Sequence, residues 1–327
     1  MMNYINLQLF ATNTTETLTP EMKTFYDKAL IEQATARLVH DQFGQKRPIP
    51  QNGGKSIEFR QFAKLNKALT ALTEGVTPEG STLSVSTITA TVDQYGDYVA
   101  LSDVLELTAI DNVILEATKT LGNQAGATLD TITRNVLAAG TNVIYAPNGD
   151  TAVTKRESLT AACKLTPDLV AKAATQLKAA NAPLIDGCYV CIIHPYVAYD
   201  LMTSDAWIDV QKYANPDNIY EGEIGKLYNV RFVESTEAKI WKDATCPTGL
   251  AVFGCIFLGA DAYGITEVTG GGLQTIVKQK GSGGTSDPLD QRSSVGWKAI
   301  KTAAILVPDY IVRVECCSTH SATAEAN

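Results

Sequence analysis

Histidine is scarce in this chain. There are three in 327 residues, His40, His194 and His320. A Ser/His/Asp or Cys/His triad would have to use one of them. His40 reads as part of an N-terminal arm helix and His320 as part of a C-terminal tail, which leaves His194. No nucleophile-elbow pattern accompanies it. Basic runs are also missing. Lys and Arg total 27 against 35 Asp and Glu, a net charge of −8. That excludes a dedicated nucleic-acid binder, which needs a Lys/Arg stripe, but not a protein that merely encloses nucleic acid. Long apolar runs are absent too. The longest, residues 251–260 (AVFGCIFLGA), is too short to span a bilayer and contains two glycines. The first residues, MMNYINLQLFATNTTE, carry no basic region before their apolar positions, so no secretory signal is expected. Asn13-Thr14-Thr15 therefore reads as a chance sequon.

Seven cysteines, an odd number with irregular spacing, point to reduced thiols in a cytosol and not to a disulfide frame. Cys188-x-x-Cys191-x-x-His194 resembles a ligand cluster but has no second pair. On a strand, positions three apart also face opposite ways. These cysteines, and Cys316-Cys317, read as small packing residues. Gly53-Gly54-Lys55-Ser56 looks like the end of a phosphate loop. The glycine required earlier is Ile49, two prolines interrupt the N–H donors, and a strand follows, so it reads as a turn leading into that strand. The glycines near Gly270 and Gly281 open no helix after a strand. No carboxylate pair stands out. The expected catalytic, cofactor-binding and metal-binding residues are none, and an enzyme is not expected.

What is present is a long amphipathic stretch, residues 102–140. Ile110, Ile114, Ala117, Leu121, Ala125, Leu129, Ile132 and Val136 recur at steps of three or four and make one apolar stripe. Glu116 with Lys119 and Asp130 with Arg134 place opposite charges one turn apart on the polar side. Gly140 is a suitable stop. At 1.5 Å per residue, about 25 helical residues reach roughly 37 Å. Gly122 and Gly126 sit one turn apart mid-helix, where each costs up to about 1 kcal/mol relative to alanine. They are read either as a close packing point or as a bend point.

Around this helix the other parts follow in order. Thr19-Pro20-Glu21 opens a helix expected to run to about Phe43 and stop at Gly44. The segment as a whole reads as an arm, not as core. Residues 55–63 and 82–99 alternate as two strands of a long hairpin with a polar tip. A lone hairpin is marginal in water, so it is expected to lie on something, such as another copy of the chain. Thr166-Pro167-Asp168 starts a short Ala-rich helix, residues 187–193 form a buried strand, and His194-Pro195 starts a helix to about Met202. Residues 213–222 read as a loop. Residues 230–234, 250–258, 293–306 and 310–316 read as further strands. Gly270-Gly271-Gly272 reads as a turn, residues 281–286 as a flexible loop, and the last ten residues as a loose tail. Strand–helix alternation predicts a compact α/β subdomain over about 165–261.

The sequence resembles the major capsid proteins of tailed bacteriophages, with the fold named for phage Hong Kong 97, and within them the N4-like phages. Four blocks carry the resemblance. They are residues 54–60 (GKSIEFR), residues 222–235 (GEIGKLYNVRFVES), residues 258–264 (LGADAYG), and residues 287–292 (DPLDQR) continuing to Gly296-Trp297-Lys298. Their order and spacing cover about residues 18–317.

The resemblance implies an α+β Hong Kong 97-like fold. Its parts would be an N-terminal arm (1–52), an extended β-hairpin loop lying over a neighbouring subunit (53–100), and a peripheral domain with a spine helix (101–164). An axial α/β domain (165–262) and a return of closing strands and tail (263–327) complete it. It implies self-assembly into pentamers and hexamers of an icosahedral virion shell around double-stranded DNA, formed in the bacterial cytoplasm without sequence-specific binding or a membrane. Portal and separate scaffold or decoration proteins are implied partners. Since the arm begins almost at Met1, any scaffold is expected to be separate or absent. Some relatives join a Lys to an Asn between subunits. Lys64 and Lys67 lie near the hairpin tip, but no partner Asn can be placed, and that chemistry is not carried over. The alternatives are an encapsulin-like bacterial nanocompartment shell and an α/β enzyme.

Overall fold

The computed structural model describes residues 28, 30–34, 38–50, 52–62, 65–72, 74–77, 80–108, 113–204, 207, 225–267, 271–282 and 287–327. The first elements are β1 (Gln45–Lys46), β2 (Ser56–Phe62), β3 (Val85–Thr91) and β4 (Asp93–Ser102). Then come α1 (Asp103–Thr108), α2 (Val113–Ala138), β5 (Val143–Tyr145), α3 (Pro167–Ala179), β6 (Tyr189–Ile193) and α4 (Pro195–Met202). The rest are strands: β7 (Lys226–Leu227), β8 (Val230–Glu234), β9 (Ile240–Trp241), β10 (Val252–Leu258), β11 (Tyr263–Glu267), β12 (Gln274–Lys278), β13 (Arg292–Ile305) and β14 (Ile311–Cys316). The fold is mixed α+β. None of the described helices is long and apolar enough to cross a membrane.

The chain forms two compact units. The first takes the described residues within Met1–Leu38, Gln94–Leu129 and Gly270–Ile300. The second takes Val39–Asp93, Asp130–Thr269 and Lys301–Asn327. The two longest elements, α2 and β13, contribute to both.

The second unit is built on a seven-stranded sheet of order β5-β14-β10-β6-β8-β7, with β9 added beside β10. Its central strands read as continuous apolar runs because both faces are covered. Side chains alternate between two cores. Tyr189, Cys191, Ile193, Phe253, Cys255 and Phe257 join Leu169, Val170 and Leu177 of α3 on one face. Val190, Ile192, Ile256 and Leu258 join Leu137 of α2 and Tyr263 on the other. Thr166 caps α3 by accepting from the Leu169 N–H, with Pro167 at the first turn. His194 caps α4, its Nδ1 accepting from the Tyr196 N–H. Two sheet strands, β5 and β14, come from outside residues 165–262.

In the first unit, β12 pairs antiparallel with residues 294–298 of β13. The β4 strand also pairs with β13. A Cβ on Gly96 would lie 2.6 Å from the Trp297 carbonyl oxygen, and one on Gly296 would lie 2.8 Å from Tyr98 Cβ, so the two glycines let these strands approach closely. Trp297 Nε1 donates to Gln124 of α2 at 3.2 Å, and Gln124 Nε2 donates to Asp97 at 2.6 Å.

Four expectations change. The helical stretch starts one residue later than read, because Ser102 ends β4; helix is described at Asp103–Thr108 and Val113–Ala138. Asp130 and Arg134 are not on an exposed polar side. Both are buried, at 0% and 1% exposure. Helix occurs at residues 28 and 30–34, but residues 40–44 are turn and bend, so His40 and Phe43 are not helical. Leu30, Ala34, His40 and Ile49 are buried, which gives this segment a share of the core. Its predicted start, Thr19-Pro20-Glu21, lies outside the described residues, as do the predicted loop at 213–222, Gly270 and residues 283–286. The last ten residues are fastened, not loose. Ser318 Oγ donates to the Tyr196 carbonyl at 2.8 Å, Thr319 N to Asp200 at 2.9 Å, and Ala251 N to the Ala322 carbonyl at 2.8 Å. Asn327 accepts from Ile240 N and donates to the Ala238 carbonyl, both at 2.9 Å.

Candidate assembly interface

The feature least explained by a single copy is the hairpin β2–β3. Its strands pair antiparallel from Ser56↔Thr91 to Phe62↔Val85. Alternation sends Ile57 and Phe59 to one face with Ile88 and Ala90, as the sequence pattern required. That face seats on Ala304, Leu306 and Val307. Phe59, 3% exposed, lies against Gly264, where an added Cβ would be 2.6 Å from its ring. The Arg47 guanidinium sits 5.6 Å from the same ring. Gly53-Gly54 forms the expected turn into β2, with Gly53 N donating to the Pro50 carbonyl at 3.0 Å and Gly54 at φ +88.

Beyond this anchored base the hairpin runs into solvent. Phe62 (59% exposed), Leu65 (54%), Leu69 (86%), Leu72 (76%), Val76 (63%) and Leu83 (59%) put large apolar groups in water. The described residues between β2 and β3 form no strand. A concentration of exposed apolar side chains of this kind marks an interaction surface. Covering each one would contribute roughly 1.5–3 kcal/mol. Lys67 is exposed on this tip, and Lys64 lies outside the described residues.

A polar knot holds the second unit behind the hairpin. His40 donates its backbone N–H to Asp130 at 2.7 Å, and its Nδ1 meets the other carboxylate oxygen at 2.7 Å. Asp41 accepts from Thr133 Oγ1 at 2.6 Å and pairs with Lys301. The Tyr263 hydroxyl donates to the His40 carbonyl, and burial pushes that phenol well above its usual range. One turn on from Asp130, Arg134 Nη1 donates to the Glu237 carbonyl at 2.9 Å. A second knot closes α2. Arg313 Nη1 caps the carbonyls of Ala138 and Gly140, the latter at 2.9 Å. Buried Glu315 joins Arg313 to Arg156, and both guanidinium groups lie over the Trp241 ring. Arg313 satisfies the negative end of the helix while the Glu315 carboxylate offsets the charge of both guanidinium groups.

The residues with catalytic or ligand potential are dispersed. Cys188 lies against the Ile185 carbonyl, Cys191 is in the sheet core, and His194 is a helix cap ringed by Tyr196 and Phe253. Burial lowers the His194 pKa and holds the Cys191 thiol well above the usual range. His320 stacks on Tyr196 at 4.8 Å. Among the described residues, no group of three or more His, Cys, Asp or Glu could hold a metal ion. The knots were not foreseen, because most of their partners lie 90 or more residues apart, as with His40 and Asp130. The apolar spacing of α2 carried no trace of them.

The α+β chain thus presents an anchored hairpin whose tip is an apolar interaction surface among the described residues. The chain matches the phage capsid protein family over residues 2–283, and it belongs to that family. It is therefore a capsid protein of bacteriophage virions. Its fold is similar to the capsid of Ralstonia phage GP4, at 15% identity and a TM-score of 0.70 over 98% of this chain and 99% of that one. The cyanophage Pam1 capsid aligns at 12% identity and a TM-score of 0.68, covering 97% and 99%. The cyanophage P-SCSP1u capsid aligns at 16% and 0.66, covering 86% and 89%. No curated protein matches the sequence.

Proposed function

We propose that this chain is a major capsid protein of Hong Kong 97-like architecture, of the N4-like kind, whose copies assemble as pentamers and hexamers into an icosahedral shell around double-stranded DNA. The observation that carries this reading is the apolar hairpin tip, which has a fixed base and stays exposed among the described residues. In this reading residues 1–52 are the arm, 53–100 the loop clasping a neighbour, and 101–164 the peripheral domain with α2 as spine. Residues 165–262 are the axial domain and 263–327 the return. The work is mechanical, not catalytic. Many modest contacts, repeated by symmetry, close the shell. DNA is enclosed without base readout, consistent with a net charge of −8. A portal and separate scaffold or decoration proteins are the remaining partners, and assembly takes place in the host cytoplasm.

Electron microscopy of the purified chain tests the reading, with closed shells or large capsomers expected. Deleting residues 64–81 should leave soluble, folded subunits that no longer close. Small discrete oligomers from the intact chain would overturn the shell, and normal particles from the deletion would overturn the clasp.

A further inference from the structure

Seven described non-glycine residues have positive φ: Asn52, Asn181, Asp186, Tyr228, Asn229, Asp261 and Asp290. Six are Asn or Asp, which tolerate the left-handed region through their short polar side chains. Tyr228, at φ +49, is the exception. With Asn229 at φ +69 it forms the two-residue loop between Leu227 and Val230, which pair across the β7–β8 hairpin. Such loops favour Asn-Gly, because both central residues need positive φ. A bulky aromatic in the first position is a strained choice, and retained strain of this kind points to function.

Among the described residues the ring finds no compensating contact. Tyr228 is 52% exposed and makes no hydrogen bond or ring contact with any other described residue. Its turn lies beside a second tight turn. Tyr189 N donates to the Asn229 carbonyl at 2.9 Å, and just before Tyr189, Ile185 and Cys188 exchange hydrogen bonds at 2.8 and 3.0 Å around Asp186-Gly187. Leu184, 43% exposed, precedes that turn. One end of the seven-stranded sheet thus presents two large, half-exposed side chains, Tyr228 on one tight turn and Leu184 just before another.

We propose that Tyr228, with Leu184 beside its turn, is a contact to a second copy of this chain. The inference rests on the shell reading above. Rigid turns add little ordering cost on binding, and tyrosine is enriched where interfaces are dry and central. In a shell of one repeated chain, another copy is the partner that every subunit meets.

The test compares full-length wild type, Tyr228→Asn and Tyr228→Phe, by melting of the unassembled subunit and by particle yield in sedimentation without nucleic acid. Tyr228→Asn relieves the backbone, so its subunit should melt roughly 2 °C higher. Its particle yield should nevertheless fall about tenfold, as for truncation of an interface anchor. Tyr228→Phe should keep wild-type yield. The opposite signs for subunit and particle are the signature. Equal yields for wild type and Tyr228→Asn would overturn the contact while leaving the shell intact. A lower-melting Tyr228→Asn subunit would overturn it by assigning the ring to the fold. Unchanged empty-particle yield with a loss only of DNA retention would also overturn it. Wild type that forms no particles would instead count against the shell reading.

Discussion

His40 meets Asp130 through both its backbone and its ring, and both side chains are fully buried. His40→Ala leaves the carboxylate with the backbone N–H alone in a fully buried site. Removing one hydrogen-bond partner of a buried acceptor costs about 1–3 kcal/mol. The urea midpoint of the unassembled subunit should therefore fall steeply with the slope unchanged. A shift below about 1 kcal/mol would mean the ring is replaceable by water. Thiols offer a milder check. Six of the seven are buried and Cys246 is half-buried. Burial pushes Cys317 up to about 12, and Cys255 and Cys316, 3.8 Å apart, are also raised. Reactivity follows the thiolate, so alkylation of native subunits at mild alkaline pH should label Cys246 first and leave the rest until unfolding. Mass spectrometry showing Cys191 or Cys316 labelled at a similar rate would contradict the packing. Little of this was legible beforehand. The Asp130–Arg134 spacing looked like a surface pair because spacing reports separation along a helix, not what covers it. Only the fold brings residues 40, 41 and 301 to that face.

At the scale of elements the reading was better where one constraint dominates. Pro195–Met202 and Val230–Glu234 fall where residue types placed them, one fixed by a His-Pro start and the other by a strand bounded by turns. Short strands escaped notice. Gln45–Lys46 and Ile240–Trp241 have two residues each and exist only because β11 and β10 offer edges. The tail was misjudged because small polar residues also suit a strap whose bonds are mostly to backbone. Gly122 turns a choice into a measurement. In α2, alanine there should gain up to about 1 kcal/mol of helix propensity. The added Cβ, however, would lie 2.9 Å from the Leu30 carbonyl oxygen and 3.0 Å from Gln33 Cβ. Backbone against backbone cannot yield cheaply, so packing wins. Gly122→Ala should loosen residues 28–34, seen as faster amide exchange there with α2 itself unchanged. Slower exchange throughout would show that the propensity gain prevails and return the site to the bend reading.

For the whole molecule the deciding quantity is charge. Each copy carries −8, so bringing many copies together opposes like charge with like. The hairpin tip offers apolar contact, which salt does not screen. Screening acts only on the repulsion. The Debye length shortens from about 30 Å at 0.01 M to about 8 Å at 0.15 M, which removes most interactions between copies while leaving contacts at the tip. Assembly of the proposed shell should therefore be poor at low salt and should rise toward physiological ionic strength. Light scattering across a sodium chloride series at fixed protein concentration reads this directly. The deletion of residues 64–81 separates the two terms. It removes the apolar contact and leaves most of the charge, so salt should not restore its particles. If scattering from the intact chain instead falls as salt rises, the joints between copies are held by complementary charges. The weight assigned to the apolar tip would then pass to ion pairs between neighbouring copies.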